Sequence, residues 1–179
     1  MNKKILKNVL FVIALMLIGI NQVYAYTYRI SENGKKVIKQ HESCILTAYW
    51  DSNGCSIGWG HHGKDVKKNM RITKAKAEQL FNKDIKIFEA SANRLLDSLP
   101  YKYRFSQNFF DGLCDLVYNC GEYGVKNSEF WKKMTNCRVH KGKMNKSDLE
   151  FSLSYIKRCN ISAKGHISRR KNVYNLIRL

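Results

Sequence analysis

Glu42-Ser43-Cys44-Ile45-Leu46-Thr47-Ala48-Tyr49-Trp50-Asp51-Ser52-Asn53-Gly54-Cys55-Ser56-Ile57-Gly58-Trp59-Gly60-His61 is the stretch on which the reading of this chain turns. Upstream of it, Ser31 can cap a short helix whose Val37, Ile38 and His41 share one face, and that helix should end near Glu42. Residues 45–50 lean to β structure. Asn53-Gly54 is the strongest short hairpin signal available, because both central residues of a type I′ turn need positive φ. A turn on those two residues sets Ser52 opposite Cys55 and Asp51 opposite Ser56. Directly opposed residues have Cβ atoms ~4.5–5.5 Å apart, so this register places a carboxylate beside a hydroxyl. With Glu42 at the helix end, two carboxylates and a hydroxyl converge, the minimum kit for cutting a glycosidic bond.

Working outward, residues 63–71 are polar and basic and read as a loop or an edge. Thr73 can cap a long helix, along which Ala77, Leu80, Phe81, Ile85, Phe88, Ala92 and Leu95 recur at three- and four-residue spacing. That helix runs to Pro100 and can join a small N-terminal lobe to a helical C-terminal one. Phe109, Leu113, Leu116 and Val117 form a further helical stripe ending before Gly121. Ser128 can open a short helix through Met134, Ser147-Asp148-Leu149-Glu150 reads as a capping box opening a helix through Arg158, and residues 169–177 give a last helix. The expected class is α+β, mostly helical, with one small sheet near the N-terminus.

Residues 1–25 stand apart. Lys3, Lys4 and Lys7 precede an unbroken apolar and glycine run over 9–20, and Val23-Tyr24-Ala25 suits a signal peptidase. The run is shorter than the ~20 residues a spanning helix needs. The segment reads as a cleaved export signal, with an uncleaved membrane anchor through residues 9–20 as the alternative. Removing it takes three of the 32 basic residues and none of the 14 acidic ones, leaving a net charge of +15. Such charge attracts a polyanion at long range: wall polymer, anionic lipid or nucleic acid. All six cysteines (Cys44, Cys55, Cys114, Cys120, Cys137, Cys159) follow the signal, and an even count in an exported chain predicts at least two disulfides. Six cysteines allow 15 pairings, and the sequence selects none. There is no Cys-x-x-Cys, which argues against a zinc ribbon. His61-His62 lacks a third ligand, and neighbours on a strand point apart, so neither metal nor cofactor is expected.

A glycosidase needs a protonated acid at the leaving oxygen and a group on the other face that positions water or stabilises the oxocarbenium-like centre. Glu42, at a helix end among apolar neighbours, is the expected general acid, since burial disfavours its charge. Asp51, at a hairpin tip, should stay ionised, and the Ser56 hydroxyl could orient the water. The same residues also fit ordinary turn chemistry with a surface glutamate, and spacing alone leaves both readings open.

The run resembles the catalytic segment of phage-type lysozymes, the endolysins of glycoside hydrolase family 24. Their pattern is Glu, eight residues, Asp, five residues, Thr, then Ile-Gly-x-Gly-His. Glu42, Asp51 and Ile57-Gly58-Trp59-Gly60-His61 match it. Arg71-Ile72-Thr73-Lys74-Ala75-Lys76-Ala77-Glu78-Gln79-Leu80-Phe81-Asn82-Lys83-Asp84 resembles the start of the family's interlobe helix. Leu116-Val117-Tyr118-Asn119-Cys120-Gly121-Glu122 resembles its Phe-Asn-x-Gly segment, Asn127-Ser128 the start of the next helix, and Gly165-His166-Ile167-Ser168-Arg169-Arg170 its Gly-x-x-x-Arg-Arg. The likeness covers about residues 30–178. Two departures stand out: four residues rather than five separate Asp51 from the hydroxyl, and that hydroxyl is Ser56 instead of threonine. The acid often found after the arginine pair is also absent, with Val173 and Asn175 there.

The resemblance implies a lysozyme-like fold with an N-terminal lobe at about 26–72, an interlobe helix at about 73–98 and a helical lobe at about 101–179. It implies Glu42 as general acid, Asp51 as partner carboxylate and Ser56 as water-positioning hydroxyl. His62, Tyr118 and Ser128 match positions lining the saccharide cleft, Asn119 would orient groups at its floor, and His61 would be structural through a salt bridge to an acid. Trp59 fits sugar stacking or core packing. The implied activity is hydrolysis of the β-1,4 bond between N-acetylmuramic acid and N-acetylglucosamine in peptidoglycan, by an exported monomer whose partners are glycan strands and the anionic wall. The alternative is a catalytically weak cationic protein that binds walls or disrupts membranes on the same fold. A specific nucleic-acid binder lacks a recognition motif.

Overall fold

In the computed structural model, residues 27–51, 54–158 and 164–178 are described, with no side-chain account of residues 158 and 164–166. The expectations for residues 1–25, Asn53 and Cys159 fall outside them. Helix α1 (Glu32–His41) is capped by Ser31, whose side chain accepts from the Gly34 N–H, and Glu42 closes it as the C-cap residue. A three-stranded antiparallel sheet follows: β1 (Ile45–Asp51), β2 (Gly54–Gly58) and β3 (His61–His62), in that spatial order. The polar stretch after it returns to the outer edge of β1 through a bridge between Thr47 and Arg71.

Helix α2 (Lys74–Asp97) starts at Thr73, which accepts from the Lys76 N–H. Its apolar stripe packs on α3 (Gln107–Lys126), and α1 and α6 (Lys164–Arg178) pack on α3 as well. The α3 stripe ends before Gly121, as its spacing predicts: the chain leaves helical geometry at that glycine, at φ 69°, and a second helical stretch runs on to Lys126. The helix α4 (Glu129–Thr135) follows, capped by Ser128.

Two differences are local. A second sheet of two short strands, β4 (Val139–His140) and β5 (Lys143–Met144), follows α4; two-residue strands carry no readable alternation. The next helix, α5 (Lys146–Ser154), is capped by Asn145, with a 3₁₀ turn after it, and the expected capping box is not its start. Asp148 instead receives Arg138 in a two-pronged ion pair, Nε to Oδ2 at 2.8 Å and Nη2 to Oδ1 at 2.9 Å.

The main core runs from Ile38 and Trp59 through α2 and α3 to Phe130, Trp131, Ile156 and Val173, while Ile57, Val66 and Leu80 form a small separate core under the sheet. Among the described residues no disulfide is found where at least two were expected, and Cys44, Cys55, Cys114 and Cys137 are free thiols. Cys114 is packed in the main core and Cys137 lies against the Ser152 hydroxyl at 3.3 Å, so burial rather than pairing explains them. Among the described residues, no helix is long and apolar enough to cross a membrane.

Candidate active site

Glu42 leaves α1 where the helix ends, its N–H still donating to the Ile38 carbonyl at 3.1 Å. The expected apolar pocket is not its environment: Arg169 Nη1 donates to Glu42 Oε1 at 2.5 Å. Arg169, only 5% exposed, uses Nε and Nη2 to grip both oxygens of Asp115 on α3, at 3.0 and 2.9 Å. His41 Nδ1 reaches the same Asp115 at 3.1 Å, so the chain is tied back one residue before Glu42. Burial pushes the Asp115 carboxyl up, but His41 and Arg169 outweigh it and hold the group below the ordinary range. Burial likewise pulls Arg169 down, and Asp115 and Glu42 more than restore it. One turn earlier on α3, Asp111 accepts from the Ser31 backbone N–H at 2.9 Å and from its hydroxyl, so two buried aspartates fix the two ends of α1.

The other side of the site is the sheet. Asp51 pairs with Gly54, Trp50 with Cys55 and Tyr49 with Ser56, a register two residues away from the one an Asn53-Gly54 turn sets. Gly54 belongs to the strand. Its φ of 139° favours glycine, and a Cβ built there would also fall 2.9 Å from His62 Cε1. Ser56 pairs in turn with His62 on β3. Since residues two apart share a face, Asp51, Tyr49, Ser56 and His62 all point the same way. Asp51 and Ser56 are therefore diagonal neighbours, ~7–8 Å apart, rather than opposed.

Ser56 is buried, with Oγ 3.4 Å from His62 Nδ1. Tyr49, half-buried across from it, was not singled out by the sequence, although alternation puts it on the Asp51 face. Burial, then the charges of Asp51 and Glu42, push its phenol up, while the Ser56 hydroxyl pulls it down. Arg169 and Asp115 were also missed as site residues. Their signal is a charged residue in an apolar helical stripe: Arg169 with Val173 and Leu176, and Asp115 between Phe109, Leu113 and Leu116.

His61 is buried, with Nδ1 2.8 Å from Asp84 and Nε2 3.2 Å from Asp65. Tyr118 spends its hydroxyl on the Trp59 carbonyl, and burial together with the Glu42 charge pushes that phenol up. Trp59 is a core residue, edge-on to Phe81. Asn119 Oδ1 accepts from Arg170. Ser128 uses its hydroxyl as the α4 cap, accepting from Trp131 N–H at 3.2 Å and donating to the Val125 carbonyl at 2.6 Å. A cavity of about 470 Å³ lies against Glu42, lined by Lys35, Lys36, Lys39, Lys74 and Trp59 among others. Among the described residues, no three His, Cys, Asp or Glu side chains are grouped to hold a metal ion.

Comparison with known proteins bears on what this arrangement does. The sequence profile of the phage lysozyme family matches residues 39–172. The chain is 38% identical over 101 residues to an endolysin of Lactococcus phage c2, covering 54% of this chain and 42% of that protein. It is 32% identical over 111 residues to the endolysin of Salmonella phage P22, covering 59% of this chain and 73% of the relative. A crystal structure of a P22 lysozyme variant superposes with a TM-score of 0.66 at 25% identity, over 85% of this chain and 99% of the other. The chain thus spans about two fifths of the Lactococcus phage endolysin.

Proposed function

The chain belongs to the phage lysozyme family, and from that premise we propose that it is an exported muramidase hydrolysing the β-1,4 bond between N-acetylmuramic acid and N-acetylglucosamine in peptidoglycan. Two features support the reading: Glu42 is held by Arg169 at the end of α1, and one sheet face bears Asp51 and Ser56 as diagonal neighbours. Glu42 delivers its proton to the leaving oxygen, and Arg169 then steadies the carboxylate left behind. Asp51 faces the developing positive charge at the anomeric carbon, and Ser56 orients the attacking water. The partners are glycan strands and the anionic wall, which the lysine-lined cavity and the basic surface favour. Residues 1–25 direct export, and the mature chain acts as a monomer.

The test is digestion of purified peptidoglycan by the mature protein beside Glu42→Gln. The expected products are new reducing ends at N-acetylmuramic acid, from the first protein alone. No reducing ends from a folded sample, or equal release by the variant, would sink the proposal. A second reading, a catalytically weak cationic wall binder, draws on the diagonal placement of Asp51 and Ser56. It predicts bacterial killing that survives Glu42→Gln and weakens steeply with salt.

A further inference from the structure

Ser56 stands where the family pattern has threonine, so it lacks the methyl that restricts χ1. A serine hydroxyl turns among three staggered wells unless neighbours hold it. Here both neighbours in the cross-strand row are hydrogen-bonding groups: Tyr49 on β1 and His62 on β3. His62 Nδ1 lies 3.4 Å from Ser56 Oγ, and half-buried Tyr49 is the residue directly opposite Ser56 on β1. The imidazole lies over Gly54, where a Cβ would fall 2.9 Å from its Cε1. Gly54 is the cross-strand partner of Asp51, so the ring spans from the Ser56 row to the Asp51 row.

We propose that Tyr49 and His62 are positioning residues that aim the Ser56 hydroxyl at the water it shares with Asp51, replacing the steric restraint of a threonine methyl by hydrogen bonds from both sides. A hydroxyl has one donor and two acceptor sites. With Tyr49 O–H donating to Oγ and Ser56 O–H donating to His62 Nδ1, one acceptor site of Oγ is left for the water. The inference rests on the muramidase reading and on Ser56 as its water-positioning group.

The test is a double-mutant cycle on a soluble glycan substrate, with thermal midpoints recorded for every variant. Tyr49→Phe and His62→Gln are made in the native chain and in the Ser56→Thr background. In the native chain each lowers kcat roughly tenfold and leaves KM within about twofold; in the threonine background each costs less than about twofold, because the methyl now holds the hydroxyl. Equal losses in both backgrounds, or losses confined to KM, overturn the proposal. Ser56→Ala separates the two levels of failure. If its kcat matches the native value, the role of Ser56 itself is wrong; if it falls while Tyr49→Phe and His62→Gln do not, only the positioning role is wrong.

Discussion

The two walls of the site are built differently. Glu42 is held from far along the chain, by Arg169 and through it by Asp115, and both partners are almost wholly buried. Asp51 and Ser56 sit on a short hairpin whose order comes from local cross-strand pairs and from a core of only Ile57, Val66 and Leu80. The contrast suits the proposed roles: a proton donor must meet the leaving oxygen within hydrogen-bond reach, which favours a carboxylate held by buried partners. The water-positioning side can be set by the pleat of a sheet, which fixes direction at low cost in buried charge.

Removing Asp115 should break this comparison most severely. Asp115→Ala leaves the buried Arg169 with Glu42 as its remaining carboxylate, and losing one member of a buried pair costs about 3–5 kcal/mol. Chemical denaturation would read it, and a loss below about 1 kcal/mol would refute the anchor. The same residue sets the acid side. Its folded pKa is depressed, so its contribution is complete above the ordinary carboxylate value of 3.8 and is lost as pH falls below it. Asp115→Asn should flatten the acid limb of the stability–pH profile, and an unchanged limb would contradict this assignment.

Gly54→Ala probes the hairpin instead. Its positive φ and the crowding against His62 predict about 1–3 kcal/mol of strain, with activity falling through the displaced imidazole. An alanine variant with native activity would show that His62 is not seated there. The smallest effect is expected at Trp50, on the opposite face of β1 and 78% exposed. Trp50→Ala should change stability by no more than about 0.5 kcal/mol, and a larger shift would mean the hairpin tip is packed.

Much of this was legible in the sequence. Ser31 and Thr73 cap the helices that their spacing predicts, and Asp51, Ser56 and His62 lie on one sheet face. The register differs from the one the Asn-Gly signal predicts because Gly54 lies within β2 opposite Asp51, and its positive φ favours glycine there as a turn would. Arg169 could be found as a family motif, but not its grip on Glu42, since two residues 127 positions apart in sequence meet only through the packing of α6 on α3. A cysteine count does not say where the thiols lie, and Cys114 and Cys137 are buried among other partners.

The central claim is that Glu42 is the proton donor. The most direct measurement compares Glu42→Gln and Asp51→Asn on peptidoglycan glycan and on the same glycan carrying fluoride as leaving group, which departs without being protonated. Glu42→Gln should lose about 10²–10⁴ in rate on the natural substrate and recover most of it on the fluoride, while Asp51→Asn stays slow on both. Equal impairment of Glu42→Gln on the two substrates, or native activity on peptidoglycan, would contradict the account.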